Sequence, residues 1–598
     1  MQPSTLAKRG AVFLFLVVVA FYLYGLGQLP LVGPDEPRYA QVAREMLLRR
    51  DLITPTLGGH TWFEKPALLY WMMIASFKMF GVTEWAARLP AAVSGLLTIA
   101  AVYFVGRRVE RESEKNAHAT LGGTDRNPPA TAADTDRSYA GFAFWSALAT
   151  ATMIGIVVFA RAASFDIILT MTTTWTLAFY VLHELEQNEK LRRKLLAGCY
   201  VFVGWSLLAK GLVGIVIPVG VVGLYYLFRR KLPARNTLLS LGWGVPLALA
   251  VAATWYGPVI ARHGWPFIDQ FFIQHHFARY VSDKYHHWRP AYYYLQVVPL
   301  LALPWTAFLV AGLPQIKSWL RHDRVFVTDQ TDAHFKQPLE QIQPPVDAGG
   351  SGPDYLNRLM VFALAWFSFP FVFFSFSNSK LPGYILPVLP AAALIVGERL
   401  WRFITDAKER RWPLNATAAS CLLFAVGALA YSWSTGTISH TLAVVLAAPL
   451  LAAGGFALLM PRRRSDSIVL LAGATAVVLL VALRLAAPAF ADLESSKRLL
   501  QLAAARGYSG TAIYGLQRSD RTPEFYAAGR VVYGPDGEPV MYEGPGQVIE
   551  ESRKRNAAIL MFVPVEELGQ LAAVSGAKTD VIGDNSRYAI VAVRASGQ

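Results

Sequence analysis

The sequence has little of what a soluble or disulfide-stapled protein needs. Only two of its 598 residues are cysteine. Cys199 and Cys421 both fall in apolar segments, so they read as small core residues and exclude a disulfide framework or a zinc knuckle. Charge is scarce too: 16% of residues are charged and 54% hydrophobic, with a mean hydropathy of +0.34. A soluble chain of this length needs far more charge to cover its surface. No alternating pattern suggests a transmembrane β-barrel. No internal repeat shows, and the charges gather at the edge of the apolar runs. Both features set the chain apart from a transporter or lipid flippase with a polar site at the bilayer midplane.

What the chain does have is long apolar stretches. Ala11–Gly27, Val213–Phe228, Leu442–Met460 and Ile468–Ala486 are nearly free of charge. A bilayer core about 30 Å thick takes about 20 apolar residues per helix, which gives about thirteen expected spans. Inside it the backbone must satisfy its own hydrogen bonds, so the spans should be helices. The net charge of +15 does not imply nucleic acid, because it sits in short clusters between spans. These are Lys8–Arg9, Arg107–Arg108, Arg192–Lys194, Arg229–Lys231, Lys317–Arg324, Arg399–Arg411 and Arg462–Arg464. Every second loop carries one, which marks the cytoplasmic side, places the N-terminus inside and, for an odd span count, the C-terminus outside. Lys8 and Arg9 precede an apolar run without a convincing cleavage site, so the first helix reads as retained.

Residues 1–490 therefore read as an all-α polytopic membrane domain, and 491–598 as a small α/β domain on its outer face. Leu493–Arg506 has helical spacing, and Thr511–Gly515, Ala558–Val563 and Tyr588–Val593 read as strands. Glu112–Arg137 and Gln337–Pro353 read as polar loops. The outer segments are then Leu29–Arg88, the turns near Ser164 and Lys210, Trp255–Pro290, and the turns near Lys380 and Ser439. The first is amphipathic over Pro37–Arg50 and apolar over Ala67–Phe80, which suits helices lying in the membrane interface.

Chemistry collects in these outer segments. In Gly33-Pro34-Asp35-Glu36-Pro37-Arg38-Tyr39, Asp35 is either a helix N-cap, with Pro37 in the first turn, or a carboxylate that orients a nucleophile or takes its proton. Glu64-Lys65-Pro66 is a charged pair ahead of a helix, or a cation for a lipid phosphate. Arg161-Ala-Ala-Ser-Phe-Asp166 and Lys210-Gly211 are span-end anchors, or charges near the first loop. Gln270–Tyr280 holds His275 and His276, which suit interfacial packing or one metal ligand, without the spaced partner of a zinc motif. Ser377–Tyr384 brings Lys380. Together the outer turns hold Arg38, Lys65, Arg161, Lys210, Arg279 and Lys380 beside Asp35, Glu64 and Asp166. Cations there run against the topological bias and point to an anionic ligand, most simply a phosphate.

In this order the motifs resemble those of the C-type glycosyltransferases (GT-C), and more narrowly of the bacterial aminoarabinose transferases, relatives of the protein O-mannosyltransferases. The resemblance covers the membrane domain. It implies a donor of undecaprenyl phosphate bearing 4-amino-4-deoxy-L-arabinose, a lipid A phosphate as acceptor, the bacterial inner membrane as location, and resistance to polymyxin. Asp35 resembles the principal catalytic carboxylate and Asp166 the second. Lys65, Lys210 and Tyr384 would cradle the donor phosphate, with Arg38, Tyr39 and Lys380 nearby. Glu64 with His275 resembles a divalent-metal site, zinc being the ion implied, although the reaction does not need one. A monomer is expected. The rivals are an enzyme of the same fold moving mannose or a uronic acid, and a lipid transporter.

Overall fold

The structure, a computed structural model, describes residues 5–121, 141–278, 288–321, 355–436, 439–517, 521–572 and 576–596. Arg279, Tyr280, the 337–353 segment and the rest of 112–137 beyond Leu121 lie outside them. Two compact units emerge: residues 1–22, 93–160 and 165–479 form one, and residues 23–92, 161–164 and 480–598 the other.

The first unit is a helical bundle. Eight helices of the described residues are long and apolar enough to cross a membrane, and a ninth span results if Tyr293–Leu301 and Thr306–Arg321, bent by 117°, count as one. In chain order the N-terminal helices are α1 (Thr5–Leu23), α2 (Asp35–Arg49) and α3 (Leu68–Phe80), the last two in the second unit, then α4 (Glu84–Leu121), α5 (Phe142–Thr152), α6 (Ile154–Phe159), α7 (Phe165–Leu185), α8 (Glu189–Lys210) and α9 (Val213–Arg229). In α7 the run Thr170–Thr176 places hydroxyls where no water reaches. They bond back along the helix, Thr170 Oγ1 to the Asp166 carbonyl at 2.8 Å, Thr173 to Leu169 at 2.7 Å and Thr174 to Thr170 at 2.6 Å. Such back-bonding satisfies the polar group inside the span. Small residues set the closest helix crossings. A Cβ on Gly106 would lie 2.6 Å from the Ala143 Cα, so α4 and α5 meet backbone to backbone.

Two expectations are corrected here. Helix α4 continues to Leu121, so the first part of the expected polar loop is helical. Arg107–Glu110 and Arg108–Glu112 are ion pairs one turn apart, which favour that extension. Likewise the outer segment expected from Trp255 is helical at its start. Helix Leu241–Ile268 runs through it and breaks only at Gly264, whose φ of +58° is natural for glycine.

The second unit joins the first outer loop to the C-terminal residues. After α2, the strands β1 (Thr56–Leu57) and β2 (His60–Thr61) make a hairpin through Gly58 and Gly59, both at positive φ. The C-terminal part is a five-stranded sheet of β3 (Ile513–Leu516), β4 (Met541–Tyr542), β5 (Ile559–Pro564), β6 (Ala577–Asp584) and β7 (Tyr588–Ala595). Its order is β4-β3-β5-β7-β6, with β3 parallel to β4 and β5, and β7 antiparallel to β5 and β6. All six residues of β5 are buried, which is why its sequence is a continuous apolar run. Leu499, Leu500 and Phe562 pack in one buried cluster, and Val548, Met561 and Val563 in another. Within this unit α2 packs against the short helix Pro523–Tyr526. Arg44 donates to the Phe525 carbonyl at 3.3 Å, and the Leu31 amide donates to the Tyr526 hydroxyl at 2.6 Å.

Candidate functional site

In the second unit the chemistry begins where α2 begins. Gly33 has a φ of +65° and turns the chain into the helix. Pro34 holds the cap position and no side chain caps the helix, so the N-cap reading of Asp35 is not realised. Asp35 is the first helical residue. It still sits at the positive end of the helix dipole, but its carboxylate is taken by Arg38 at 2.5 Å. Asp35 is 55% exposed and Arg38 only 14%. Arg38 also lies 3.9 Å from Glu64, and its guanidinium stacks 5.2 Å from the Trp62 ring. Lys65 meets Glu64 at 2.8 Å. Burial works to lower the Arg38 pKa, but Glu64, Tyr39, Asp35 and Glu524 more than offset it, so the guanidinium stays charged. Burial, with Asp35 and Glu64, pushes the Tyr39 phenol well above its ordinary range, so it remains a neutral hydrogen-bond donor.

Two residues of this unit escaped the reading of the sequence. Glu36, beside Asp35, is buried and points the other way. Its carboxylate accepts from Arg88 Nε at 2.9 Å and Nη2 at 2.6 Å, from the Ala163 amide at 2.7 Å and from the Val32 amide at 3.1 Å. Arg88 then donates to the carbonyls of Leu26, Leu29 and Pro30 at 2.7–2.8 Å. A fully satisfied buried pair of this kind fixes a loop rather than reacting. Arg161 has a similar duty, donating to the Tyr24 carbonyl. The second residue is Glu524, only 2% exposed, on the short helix against α2. It pairs with Arg521 at 3.0 Å. Burial raises its pKa, with Arg521 and Arg38 opposing.

In the first unit three elements meet around Asp166. It lies in the first turn of α7, Lys210 ends α8, and Gly383-Tyr384 lies in the 3-10 turn Pro382–Val388. Gly211, at a φ of +68°, stops α8 directly after the lysine. Lys210 Nζ pairs with Asp166 Oδ1 and lies 4.2 Å from the centre of the Tyr384 ring. The approach requires glycine at 383, because a Cβ there would lie 2.0 Å from Asp166 Oδ2. Lys380 is placed otherwise. Its ammonium is buried and donates to the carbonyls of Arg289, at 2.8 Å, and Ser377. Desolvation lowers its pKa. Lys380 thus ties down the turn that carries Tyr384.

His275 is half-buried in the π-helical segment Asp269–Ala278. Among the described residues, no group of three or more His, Cys, Asp or Glu side chains could hold a metal ion. Glu64 already faces two cations, Lys65 and Arg38. That surrounding does not suit a third cation.

Both clusters share one chemical character. Carboxylates are held against lysine or arginine, with phenols alongside, in partly shielded surroundings. An anionic ligand can replace a carboxylate on such a cation, and the released carboxylate can then orient or stabilise a reacting group.

Comparison with known proteins agrees with this chemistry. The family model for dolichyl-phosphate-mannose-protein mannosyltransferase matches residues 64–117, which begin at Glu64. An undecaprenyl phosphate-alpha-4-amino-4-deoxy-L-arabinose arabinosyl transferase of Aeromonas salmonicida is 28% identical over 416 residues, covering 67% of this chain and 62% of the relative. The protein of the same name from Pseudomonas paraeruginosa is 29% identical over 415 residues, covering 69% and 63%. The chain thus spans about three fifths of the length of these curated relatives. The crystal structure of ArnT from Cupriavidus metallidurans bound to undecaprenyl phosphate has the same fold, with a TM-score of 0.72 and 23% identity over 98% of both chains. The resemblance read from the outer-loop motifs therefore stands in sequence and in fold. The chain's helices mark a multi-pass membrane protein.

Proposed function

We propose that this chain transfers 4-amino-4-deoxy-L-arabinose from undecaprenyl phosphate to a phosphate of lipid A, at the periplasmic face of the inner membrane. One observation carries the reading: the outer-turn cations Arg38, Lys65 and Lys210 each face a carboxylate in a partly shielded setting. The names of the relatives supply the sugar and its carrier.

In the proposed reaction an oxygen of the lipid A phosphate attacks the anomeric carbon. The bond from that carbon to the undecaprenyl phosphate oxygen breaks, and the anomeric centre inverts. Undecaprenyl phosphate leaves as a monoester, with no net proton transfer required. Lys65, Lys210 and Arg38 stabilise charge on the leaving phosphate, and Tyr39 and Tyr384 border it. Asp35 and Asp166 orient the groups and stabilise the cationic sugar. Lys380 shapes the turn. The scheme routes no step through a metal, and a divalent ion at Glu64 and His275 enters only as something chelation can test.

The proposal includes thirteen crossings. Thr5–Leu23, Phe142–Phe159, Glu189–Lys210 and Val213–Arg229 would join the nine spans described above. The N-terminus is then cytoplasmic, residues 491–598 form a periplasmic domain after a membrane domain of 1–490, and the protein acts as a monomer. The test is expression in a polymyxin-sensitive strain that makes the donor but lacks its own transferase. Lipid A should gain the mass of aminoarabinose and resistance should rise. Unmodified lipid A, with the protein shown in the membrane, would refute the proposal, and gain of a hexose or uronic acid mass would replace the sugar assignment.

A further inference from the structure

At the far end of α4 from Glu84, a groove of about 480 Å3 opens between α4, the end of α7 and the start of α8. It has two distinct ends. One wall is aromatic: Phe104, Trp175 and Phe179 lie ring to ring at 5.5–6.0 Å. Tyr103 and Phe104, at 40% and 54% exposure, open that end to the surroundings of the bundle. The other end is cationic, with Arg107, Arg108 and Arg111 on neighbouring turns of α4.

The charges have a definite order. Arg108 is bridged by Glu186 at 2.8 Å and Glu112 at 3.2 Å, which fixes it at the base of the groove. Glu110 accepts from the Ala143 amide at 3.0 Å and pairs with Arg107, its own side chain 2% exposed, so a phosphate at Arg107 would share that guanidinium. Arg111 is exposed. Over residues 103–112 and 186–195 there are seven Lys and Arg against four Glu, so the local field is positive. The groove also spans a boundary. The candidate spans Glu84–Glu112 and Phe165–Leu185 both end there, so on the membrane reading the aromatic wall would face hydrocarbon and the arginines the headgroups. A cationic pocket between span ends, continuous with an apolar channel, matches an anionic headgroup and its acyl chain.

We infer that this groove is a binding site for an anionic phospholipid of the leaflet facing the basic clusters. It is separate from the transfer chemistry and rests only on the membrane reading. Under the proposed topology that leaflet is cytoplasmic. The phosphate would lie against Arg107 and Arg111, with an acyl chain along Phe104 and Trp175.

The experiment uses the full chain in neutral detergent, with phosphatidylglycerol or phosphatidylcholine of identical acyl chains added. Native mass spectrometry reads bound lipid and thermal unfolding reads stabilisation. Phosphatidylglycerol should be retained and should raise Tm more than phosphatidylcholine. Arg107→Ala with Arg111→Ala should weaken phosphatidylglycerol retention about 100-fold, the loss of two charged hydrogen bonds at about tenfold each. Arg462→Ala with Arg463→Ala, in another basic cluster, should leave it unchanged. If the double variant folds poorly, Arg111→Gln alone serves, because that side chain is exposed. Equal retention of both lipids, or an equal loss in the control variant, would overturn the site. Displacement of phosphatidylglycerol by equimolar undecaprenyl phosphate would reassign it to the polyprenyl carrier and overturn the lipid proposed.

Discussion

The Asp35 cluster and the Asp166 cluster both hold carboxylates against cations, yet they are built in opposite ways. Around Asp35, four charged residues come from one loop, two of them adjacent and two a helical turn apart. Around Asp166, three elements distant in sequence converge, and a missing side chain at Gly383 makes room. The first arrangement lets one residue be exposed while its neighbour is buried: Asp35 is 55% exposed, whereas the Glu36 side chain is 8% exposed and fully bonded. The second depends on packing alone. A local motif can thus separate chemistry from support by alternating direction, whereas a convergent site needs its support in the backbone.

The sharpest way to break this contrast is to exchange the two neighbours. Glu36→Gln leaves Arg88 buried without its counter-charge, so about 3–5 kcal/mol of stability should be lost. Thermal unfolding in detergent should show the drop, and activity should fall only as far as folded protein is lost. Asp35→Asn should do the reverse, with Tm unchanged and transfer down by about 100-fold or more, the scale of a positioned carboxylate in catalysis. Full activity in Asp35→Asn would reduce that carboxylate to a partner of Arg38.

Smaller effects sharpen the comparison. Lys65→Ala and Lys210→Ala, one in each cluster, should each weaken donor use by about 1.5–3 kcal/mol, the cost of one charged hydrogen bond, read as a rise in KM for the donor. Lys380→Ala should instead lower Tm, because its ammonium serves carbonyls. Glu524 tests whether the C-terminal residues support the first cluster. Its folded-state pKa is raised, chiefly by burial. The native state then holds its proton at a pH where the unfolded chain has released it, so stability contributed there falls as pH rises from the ordinary carboxylate range to the folded value. Glu524→Gln should flatten that part of the Tm-against-pH curve. If Glu524 positions Arg38, the donor KM of Glu524→Gln should also rise. Finally, extended dialysis against a chelator should leave transfer unchanged, and loss restored by zinc would bring Glu64 and His275 back as ligands.

These contrasts also explain what could be read from the chain. Asp35, Lys65, Asp166 and Lys210 were legible because a charge at the end of an apolar run is costly and therefore conspicuous. Glu36 was hidden by its neighbour, since one helical turn points successive residues apart. Glu524 left no signal, because its burial depends on a short helix reaching α2 from far along the chain. Lys380 reads as another phosphate cation, and the carbonyls to which its ammonium donates carry no sequence mark. In the sheet, β5 and β7 were visible as apolar runs. β6 was not, because its exposed and covered residues mix polar and apolar types around a register shift between Val581 and Gly583.

The central claim is the transfer itself, and the most direct measurement is made on purified protein. The full chain would be reconstituted with lipid A and undecaprenyl phosphate bearing aminoarabinose, and both lipids followed by mass spectrometry. The account expects lipid A to gain one sugar for each undecaprenyl phosphate released, with Asp35→Asn inert at equal folded concentration. Release of undecaprenyl phosphate without modified lipid A, or no release at all from folded protein, would contradict it.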